Sequence, residues 1–321
     1  MLYIGIDVGG TSMKAGVVDE GGRILHKVSC PSGIERGHEA MIRDMASLCR
    51  QATQEAGVSM EDIESIGIGI PGMQDPRTGR VPFCTNLKWH DVPLVELMQR
   101  EIDKPVYINN DATVAGLAES VAGVSSTVKN SCFVTLGTGV GGGVVLDGKV
   151  FMGPHGIATE VGHMITVAGG EKCTCGNRGC WERYASATAI IREGRRFAEA
   201  HPESALARRV DGCLERIEAR TVIDLAKEGD PDCTAIFDNY VYHLTVGLVN
   251  LINLYDPEVI ALGGGVSHAG DFLLEKVRAL LPEMIFFKSM PHARIELARL
   301  GNDAGIIGAA MLGRQDIQNR A

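Results

Sequence analysis

The stretch Leu2-Tyr-Ile-Gly-Ile-Asp-Val-Gly-Gly-Thr-Ser-Met-Lys-Ala-Gly-Val-Val-Asp19 decides the fold of this chain. It is typical of an apolar strand, a Gly-Gly-Thr turn and a second strand that ends on an acidic-Gly turn. The pattern recurs at an offset of 127 residues, in Ser131-Cys-Phe-Val-Thr-Leu-Gly-Thr-Gly-Val-Gly-Gly-Gly-Val-Val-Leu146. Gly10-Thr11 aligns with Gly137-Thr138 without a gap. Two such hairpins predict a duplicated fold with a ligand bound between its halves.

Apolar strands alternate with segments of helical periodicity along the rest of the chain. The main predicted elements are strands at Ile63–Ile70, Val106–Asn110, Val259–Leu262 and Arg294–Leu300, and helices at Leu94–Glu101, Glu182–Ala200, Pro231–Tyr255 and Asp303–Leu312. This alternation predicts an α/β fold. We expect a small domain over residues 1–114 plus 303–321, and a larger one over 115–302.

Composition narrows the classes of protein to consider. The chain has 321 residues, 45% of them hydrophobic and 22% charged, and its net charge is -9. This acidic balance argues against a nucleic-acid partner. No apolar run approaches the ~18 residues of a membrane span, so we expect no membrane association. The strand-like start at Met1 lacks the features of a secretory signal, which predicts a cytoplasmic location.

The first Gly-rich turn has the chemistry of a phosphate site. Asp7 ends a strand, and Gly9, Gly10 and Thr11 form the turn, with Lys14 shortly after it. Glycine lets backbone N–H groups close on an anion, while the Thr hydroxyl and the Lys ammonium add donors and charge. Asp7 could orient a Mg²⁺ ion bound to the phosphates.

The second turn repeats this theme with more glycine. Residues 137–143 contain five glycines in seven positions, and Gly137, Thr138 and Gly139 form the turn itself. The alternative for either turn is a tight hairpin without a ligand, but two matched turns favour nucleotide phosphates. Neither turn fits the P-loop or the dinucleotide fingerprint, because each leads into a strand rather than a helix.

Polar side chains that suit a sugar follow at other element ends. Asn110 and Asp111 lie where a strand ends and a helix begins. Asp111 could simply cap that helix, but a strand end beside phosphate turns also suits a catalytic carboxylate. Sugar hydroxyls need short hydrogen bonds, and Glu160, His163 and Glu182 are further suitable partners.

A cluster of metal-ligand residues lies between those carboxylates. A Gly-rich window of 18 residues contains His163, Cys173, Cys175 and Cys180. One imidazole and three thiolates suit a closed tetrahedral zinc site, which would stabilise such a loop. The alternatives are ordinary core cysteines or a disulfide, although disulfides rarely persist in the cytosol.

Together these motifs resemble those of the ROK sugar kinases over essentially the whole chain. The matching stretches are Asp7–Lys14, Gly69–Gly72, Asn109–Ala112, Gly137–Gly143, Glu160–His163, Cys173–Glu182 and Gly263–Gly265. Within that family the chain is most similar to the glucokinases of Gram-positive bacteria. The stretches that carry this likeness are Asn86–Trp89, Val134–Gly143 and Leu300–Gly305.

The resemblance implies a duplicated actin-like ATPase fold with two domains around a cleft. It also implies ATP, Mg²⁺ and a structural Zn²⁺, and we expect a homodimer. Asp111 would be the catalytic base. The residues implied for the ligands are Asn110, Asp111, Glu160, His163 and Glu182 on the sugar, His163, Cys173, Cys175 and Cys180 on zinc, and Gly263, Gly264 and Gly265 along the nucleotide.

The implied reaction is ATP-dependent phosphorylation of a hexose at the 6-hydroxyl, with glucose as the expected substrate. An N-acetylmannosamine or N-acetylglucosamine kinase shares every motif named above and stays open. A ROK-type repressor would carry a helix-turn-helix ahead of the first strand, and the strand that starts at Leu2 leaves no room for one. A non-catalytic sugar-binding protein would not need Asp111.

Overall fold

The computed structural model describes residues 1–156 and 158–320. The chain divides into two compact units. The first unit comprises Met1–Phe133, Gly143–Thr159 and Ala298–Ala321, and the second comprises Val134–Gly142 and Glu160–Leu297. The expected domains over 1–114 plus 303–321 and over 115–302 stay a prediction. They include positions 157 and 321, which lie outside the described residues.

Strands and helices alternate along most of the chain, as the sequence predicts. The strands are β1 Leu2–Val8, β2 Ser12–Asp19, β3 Ile24–Pro31, β4 Ile63–Ile70, β5 Met73–Asp75, β6 Arg80–Cys84, β7 Trp89–Val92, β8 Val106–Asn110, β9 Ser131–Leu136, β10 Val140–Leu146, β11 Lys149–Val150, β12 Val259–Gly263 and β13 Arg294–Leu297. The helices are α1 His38–Ala56, α2 Leu94–Glu101, α3 Asp111–Ala122, α4 Glu182–Ala185, α5 Ala187–Ala200, α6 Ala205–Arg209, α7 Ala219–Lys227, α8 Pro231–Tyr255, α9 Asp271–Met284 and α10 Ala304–Arg320.

The two larger sheets have equivalent strand orders. The first runs β3-β2-β1-β4-β8 and the second β11-β10-β9-β12-β13. In the first sheet β2 is antiparallel to both β1 and β3, whereas β4 is parallel to both β1 and β8. A third sheet, β5-β6-β7, is antiparallel. The matching orders confirm the duplicated α/β fold predicted from the two hairpins.

Glycine allows helix α10 to lie almost on the backbone of the first sheet. A Cβ atom added to Gly5 or Gly67 would lie 1.8 or 1.7 Å from a carbonyl oxygen of α10. A Cβ atom on Gly308 of α10 would lie 1.7 Å from the carbonyl oxygen of Val114 in α3. No larger residue fits these contacts, so β1, β4, α3 and α10 form one tightly packed body within the first unit.

Helix α1 covers part of the same unit. Met41, Met45, Leu48 and Ala52 recur at helical spacing in the sequence, and all four are buried in α1. Burial of this apolar face, rather than helix propensity, stabilises such a helix.

Three predicted elements have bounds that are wrong by more than one residue. The helix expected over Asp303–Leu312 runs from Ala304 to Arg320. The single helix expected over Glu182–Ala200 is two helices, because Ser186 is extended (φ -107°, ψ 166°) and its side chain accepts a hydrogen bond from the Ala189 N–H. The strand expected over Arg294–Leu300 ends at Leu297. None of the helices within residues 1–156 and 158–320 is long and apolar enough to cross a bilayer.

Candidate active site

The turn between β1 and β2 places a charged pair beside open backbone. Asp7 and Lys14 are register partners, and Lys14 Nζ lies 3.9 Å from Asp7 Oδ2. Burial raises the pKa of Asp7 above its ordinary value, and the Lys14 ammonium opposes this effect. Gly10 and Thr11 are exposed at the tip. The arrangement combines a carboxylate, an ammonium and accessible N–H groups, as a phosphate and magnesium site requires.

Ser32 holds this turn in place. The Gly9 N–H donates to Ser12 O at 3.0 Å and closes the turn. The fully buried Ser32 donates its hydroxyl to Gly9 O at 2.6 Å and its N–H to Thr11 O at 3.0 Å. The sequence motifs do not reveal Ser32, because it lies just after the end of β3 and belongs to no local pattern.

Asp7 and the predicted base share one edge of the first sheet. Asp7 pairs with Gly69 in the parallel register of β1 and β4, and Gly69 pairs with Asn109 in that of β4 and β8. Adjacent strands lie about 4.8 Å apart, so the backbones at Asp7 and Asn109 are separated by about 10 Å. Asp111 follows two residues after Asn109.

The residue that caps helix α3 is Asn110, not Asp111. Asn110 is extended (φ -64°, ψ 145°), and its side chain accepts a hydrogen bond from the Ala112 N–H at 2.9 Å. Asp111 is the exposed first residue of the helix. Its Oδ1 also accepts from the Ala112 N–H, at 2.7 Å. Asn110, rather than Asp111, therefore occupies the N-cap position of α3, and the catalytic role of Asp111 stays a prediction.

A buried amide supports Asn110 from the third sheet. Gln74 in β5 and Asn109 in β8 are both buried. With its carboxamide turned to satisfy its neighbours, Gln74 donates to Gly72 O at 2.9 Å and accepts from the Asn110 N–H at 3.0 Å. Asn110 Nδ2 also donates to Gly72 O, at 3.3 Å. Gln74 is a second residue that sequence motifs miss.

The second Gly-rich turn is held by the start of α5. The Gly137 N–H donates to Gly139 O at 3.0 Å, and the Ala187 N–H donates to Gly137 O at 2.8 Å. The Thr188 hydroxyl donates to Thr138 O at 2.6 Å. The tip of this turn, Gly137-Thr138-Gly139, offers backbone groups and the Thr138 hydroxyl, and none of these three residues has an ionisable side chain.

Gly263, Gly264 and Gly265 lie beside the same turn. Gly263 ends β12, which neighbours β9, and Gly264 directly after it has a left-handed φ of 83°. A Cβ atom on Gly264 would lie 2.6 Å from the backbone nitrogen of Leu136, the last residue of β9. The second unit thus brings both predicted nucleotide-binding glycine stretches together.

The four predicted zinc ligands converge. Their ligand atoms all lie within 4.8 Å of one another. Cys175 Sγ and Cys180 Sγ are 3.6 Å apart, and Cys173 Sγ lies 3.7 Å from His163 Nδ1. With Zn–S bonds of about 2.3 Å and a Zn–N bond of about 2.0 Å, tetrahedral geometry separates such pairs by about 3.5–3.8 Å. The donor set therefore fits a zinc ion.

The disulfide alternative does not fit this cluster. All nine cysteines lie in the described part of the chain and are free thiols. The Cys175–Cys180 separation of 3.6 Å is far beyond an S–S bond of about 2.05 Å. Burial raises the pKa of Cys180 to about 12, whereas the Asn177 N–H lowers that of Cys175. A bound metal ion overrides such differences, because a coordinating thiol is deprotonated.

The predicted sugar-binding acids surround the cluster. Glu182 Oε1 accepts a hydrogen bond from Cys173 Sγ at 3.0 Å and lies 3.8 Å from His163 Nδ1. Glu160 is an exposed residue, yet the atoms packed around its carboxyl group remove water and raise its pKa. The nearby His163 opposes this rise and Glu182 adds to it. The Nδ1 atom of His163 lies 3.7 Å from Cys173 Sγ, so Nε2 is the ring nitrogen on which the predicted contact with a sugar depends.

Two close contacts fix these side chains. A Cβ atom on Gly162 would lie 2.0 Å from Val140 O, so only glycine lets the short helix that carries His163 lie against β10. Trp181 is fully buried between Cys180 and Glu182, and its Nε1 donates to His243 O of α8 at 2.8 Å. Trp181 lies within the matched stretch Cys173–Glu182, but the sequence does not reveal its role, because its partner belongs to α8.

Comparisons with known proteins agree on one family. The ROK family model matches residues 3–316. A glucokinase of Halalkalibacterium halodurans is 36% identical over 98% of this chain and 95% of its own length. A ROK hexokinase structure from Thermus thermophilus has a TM-score of 0.87 and 32% identity, and covers 99% of this chain and 100% of its own.

A third relative was solved with ligands. The ROK family glucokinase of Streptomyces griseus, in complex with glucose and AMPPNP, has a TM-score of 0.81 and 35% identity over 98% of this chain and 100% of its own. These matches confirm the resemblance to the ROK sugar kinases and the actin-like fold that it implies. This chain belongs to the ROK family.

Proposed function

We propose that this chain is a glucokinase that transfers the γ-phosphoryl group of Mg·ATP to the 6-hydroxyl of glucose. The observation that carries the proposal is the position of Asp111, an exposed carboxylate at the sheet edge that also bears Asp7 and its Gly-Gly-Thr turn. Membership of the ROK family and the glucokinases among its relatives support the choice of reaction.

Asp111 acts as the general base. Its carboxylate accepts the proton of the 6-hydroxyl while that oxygen forms a bond to the γ-phosphorus and the bond to the β,γ-bridging oxygen of ATP breaks. Phosphoryl transfer needs positioning and charge stabilisation more than covalent chemistry. The rigid Asn110 cap serves this need, because it fixes the helix turn from which Asp111 projects.

The two Gly-rich turns bind the nucleotide. Gly9, Gly10 and Thr11 offer N–H groups and a hydroxyl to the phosphates, Lys14 adds positive charge, and Asp7 orients the Mg²⁺ ion of the substrate. The residues proposed along the rest of the nucleotide are Gly137, Thr138, Gly139, Gly263, Gly264 and Gly265.

Polar side chains bind the sugar hydroxyls. Asn110, Glu160, Glu182 and Nε2 of His163 supply donors and acceptors. A zinc ion held by His163 Nδ1, Cys173, Cys175 and Cys180 would supply only rigidity, because four protein ligands close its coordination shell. Cytoplasmic location and a homodimeric state also stay predictions.

A coupled ADP-release assay across hexoses and N-acetylated hexosamines tests the function. A site built for a 2-hydroxyl loses bonds and gains bulk with an acetamido group, so kcat/KM for glucose is expected to exceed that for N-acetylmannosamine by roughly 10²-fold or more. ³¹P NMR of the product checks the position of the new phosphate. A reversed ratio would move the chain to the amino-sugar kinases, and no turnover of any sugar would reject the kinase proposal.

A further inference from the structure

Glu119 is a fully buried acid in the helix that begins at Asp111. Its carboxyl group accepts three backbone hydrogen bonds. The Val124 N–H donates to Oε2 at 2.9 Å, and the N–H groups of Arg299 and Leu300 donate to Oε1 at 2.8 and 2.9 Å. The carboxylate therefore joins two segments that lie about 180 residues apart in sequence.

One of these segments is the end of α3. The Glu119 carbonyl oxygen accepts hydrogen bonds from the Gly123 N–H at 3.1 Å and the Ser125 N–H at 3.2 Å, which stop the helix. A Cβ atom on Gly123 would lie 1.8 Å from Glu119 Oε2. The chain thus turns tightly around the carboxyl group, and residue 123 has to be glycine for this arrangement.

The other segment leads directly into α10. Arg299 and Leu300 precede the short helix Gly301–Asp303 and the start of α10 at Ala304. A Cβ atom on Gly305, in the first turn of α10, would lie only 2.6 Å from Asp7 Cγ. The first turn of α10 is therefore in contact with the carboxylate that we assign to Mg²⁺.

We propose that Glu119 is a positioning residue for phosphoryl transfer, which rests on the function proposed above. It locks the end of α3 to the start of α10, so that Asp111 on α3 and Asp7 against α10 keep a fixed separation. The close contact of Gly308 in α10 with α3 supports the same coupling. Glu119 touches neither substrate nor reacting atoms and acts only through these two helices.

The test compares Glu119→Gln and Glu119→Ala with a control in the same unit. Gln can still accept from Arg299 and Leu300 through its oxygen, but its amide group then faces the Val124 N–H donor. The alanine variant removes all three acceptor contacts. The control is Met45→Ala, which opens a cavity in the buried face of α1 and lowers stability. Met45 belongs to a different hydrophobic cluster from the one that contains Leu117 of α3 and Ile306 of α10.

We expect kcat to fall about 10-fold in Glu119→Gln and about 10²-fold in Glu119→Ala, measured well below the melting temperature, since a displacement of ~1 Å can cost 10²-fold. The affinity for Mg·AMPPNP, measured by calorimetry, should fall with kcat. Met45→Ala should lower the melting temperature but leave both quantities within about twofold of wild type. If Glu119→Ala does not fold, Glu119→Gln decides.

The proposal is overturned if folded Glu119→Gln keeps wild-type kcat and wild-type affinity for Mg·AMPPNP, or if Met45→Ala loses both equally. Failure of the proposed function gives a different result. Wild-type protein would then show no sugar turnover, while the nucleotide affinities of the variants would still report whether Glu119 positions Asp7.

Discussion

The two Gly-rich turns share a backbone plan but differ in their charges. At the offset of 127 residues, Asp7 aligns with Val134 and Lys14 aligns with Gly141. The first turn thus carries an ion pair at 3.9 Å, and the equivalent places in the second carry an aliphatic side chain and a glycine. Both turns keep the glycines that let backbone N–H groups approach an anion.

This difference indicates that the first turn takes part in phosphoryl transfer and that the second turn only binds the ligand. The first turn can hold a metal ion and neutralise a phosphoryl group, whereas the second can offer a ligand only N–H groups and one hydroxyl. Asp111 directly follows β8, and only β4 lies between β8 and β1, the strand that leads into the first turn. We therefore expect substitutions in the first sheet to reduce kcat and substitutions near the second turn to act mainly through binding.

The largest effect is expected for Asp111→Asn. Loss of the general base should reduce kcat by on the order of 10²–10⁴, with fold and glucose affinity largely kept. Steady-state kinetics and a glucose titration measure the two quantities. Asp232→Asn is the control, because Asp232 is likewise an exposed acid in the first turn of a helix, α8, and should leave kcat unchanged. Near wild-type turnover of Asp111→Asn would reject its role as base.

The zinc loop should give the next largest effect. Cys175→Ser removes one of four ligands, so the protein should lose its single zinc ion, and kcat/KM should fall about 10²-fold as Glu182 and His163 lose their fixed positions. Elemental analysis of fresh protein gives the zinc content. Cys213→Ser, a partly exposed thiol outside the cluster, should keep zinc and activity. Active wild-type protein without zinc would contradict this prediction.

Elements with strong local signals could be predicted from the sequence. Ile63–Ile70, Leu94–Glu101, Val106–Asn110 and Pro231–Tyr255 have the predicted bounds, because turn residues or a helix-starting proline delimit them. The sequence pattern predicts no element over 73–92, where the small third sheet lies. Its strands are short, and tertiary pairing rather than local periodicity stabilises them.

The site was predictable in its residue types but not in its supports. The four zinc ligands have a characteristic spacing, and the structure brings their ligand atoms together. Ser32, Gln74 and Trp181 hold the site through contacts that are distant in sequence, so local motifs do not reveal these supporting roles. The cap of α3 was ambiguous for a related reason, since Asn and Asp cap helices equally well and only the backbone angles distinguish the two positions.

A smaller effect, with a characteristic pH dependence, is expected for Asp7→Asn. Activity should fall about 10–100-fold through weaker Mg²⁺ binding. The unfolding free energy of Asp7→Asn, in contrast, should be higher than that of wild type at neutral pH. Because burial raises the folded-state pKa of Asp7 above its ordinary value of 3.8, the ionised carboxylate opposes folding. Below pH 3.8 both states are protonated and this penalty is absent, and it grows as the pH rises from 3.8 through the folded-state pKa.

Urea unfolding at several pH values measures this contrast. The advantage of Asp7→Asn over wild type in unfolding free energy should be smallest near pH 4 and largest near pH 7. A variant less stable than wild type at pH 7 would contradict the prediction, because it would mean that Lys14 and the start of α10 stabilise the carboxylate more than burial destabilises it.

The smallest expected effect distinguishes two glycines within the second turn. A Cβ atom on Gly139 would lie 2.6 Å from Glu182 Oε2, whereas one on Gly137 would meet nothing within 4 Å. Gly139→Ala therefore has to displace Glu182, at a cost of roughly 1 kcal/mol, which corresponds to a rise of about fivefold in KM for glucose. Gly137→Ala should leave that KM unchanged and alter only the KM for Mg·ATP. If both variants changed the glucose KM equally, displacement of Glu182 would not be the cause, and the predicted contrast between these two glycines of the second turn would be wrong.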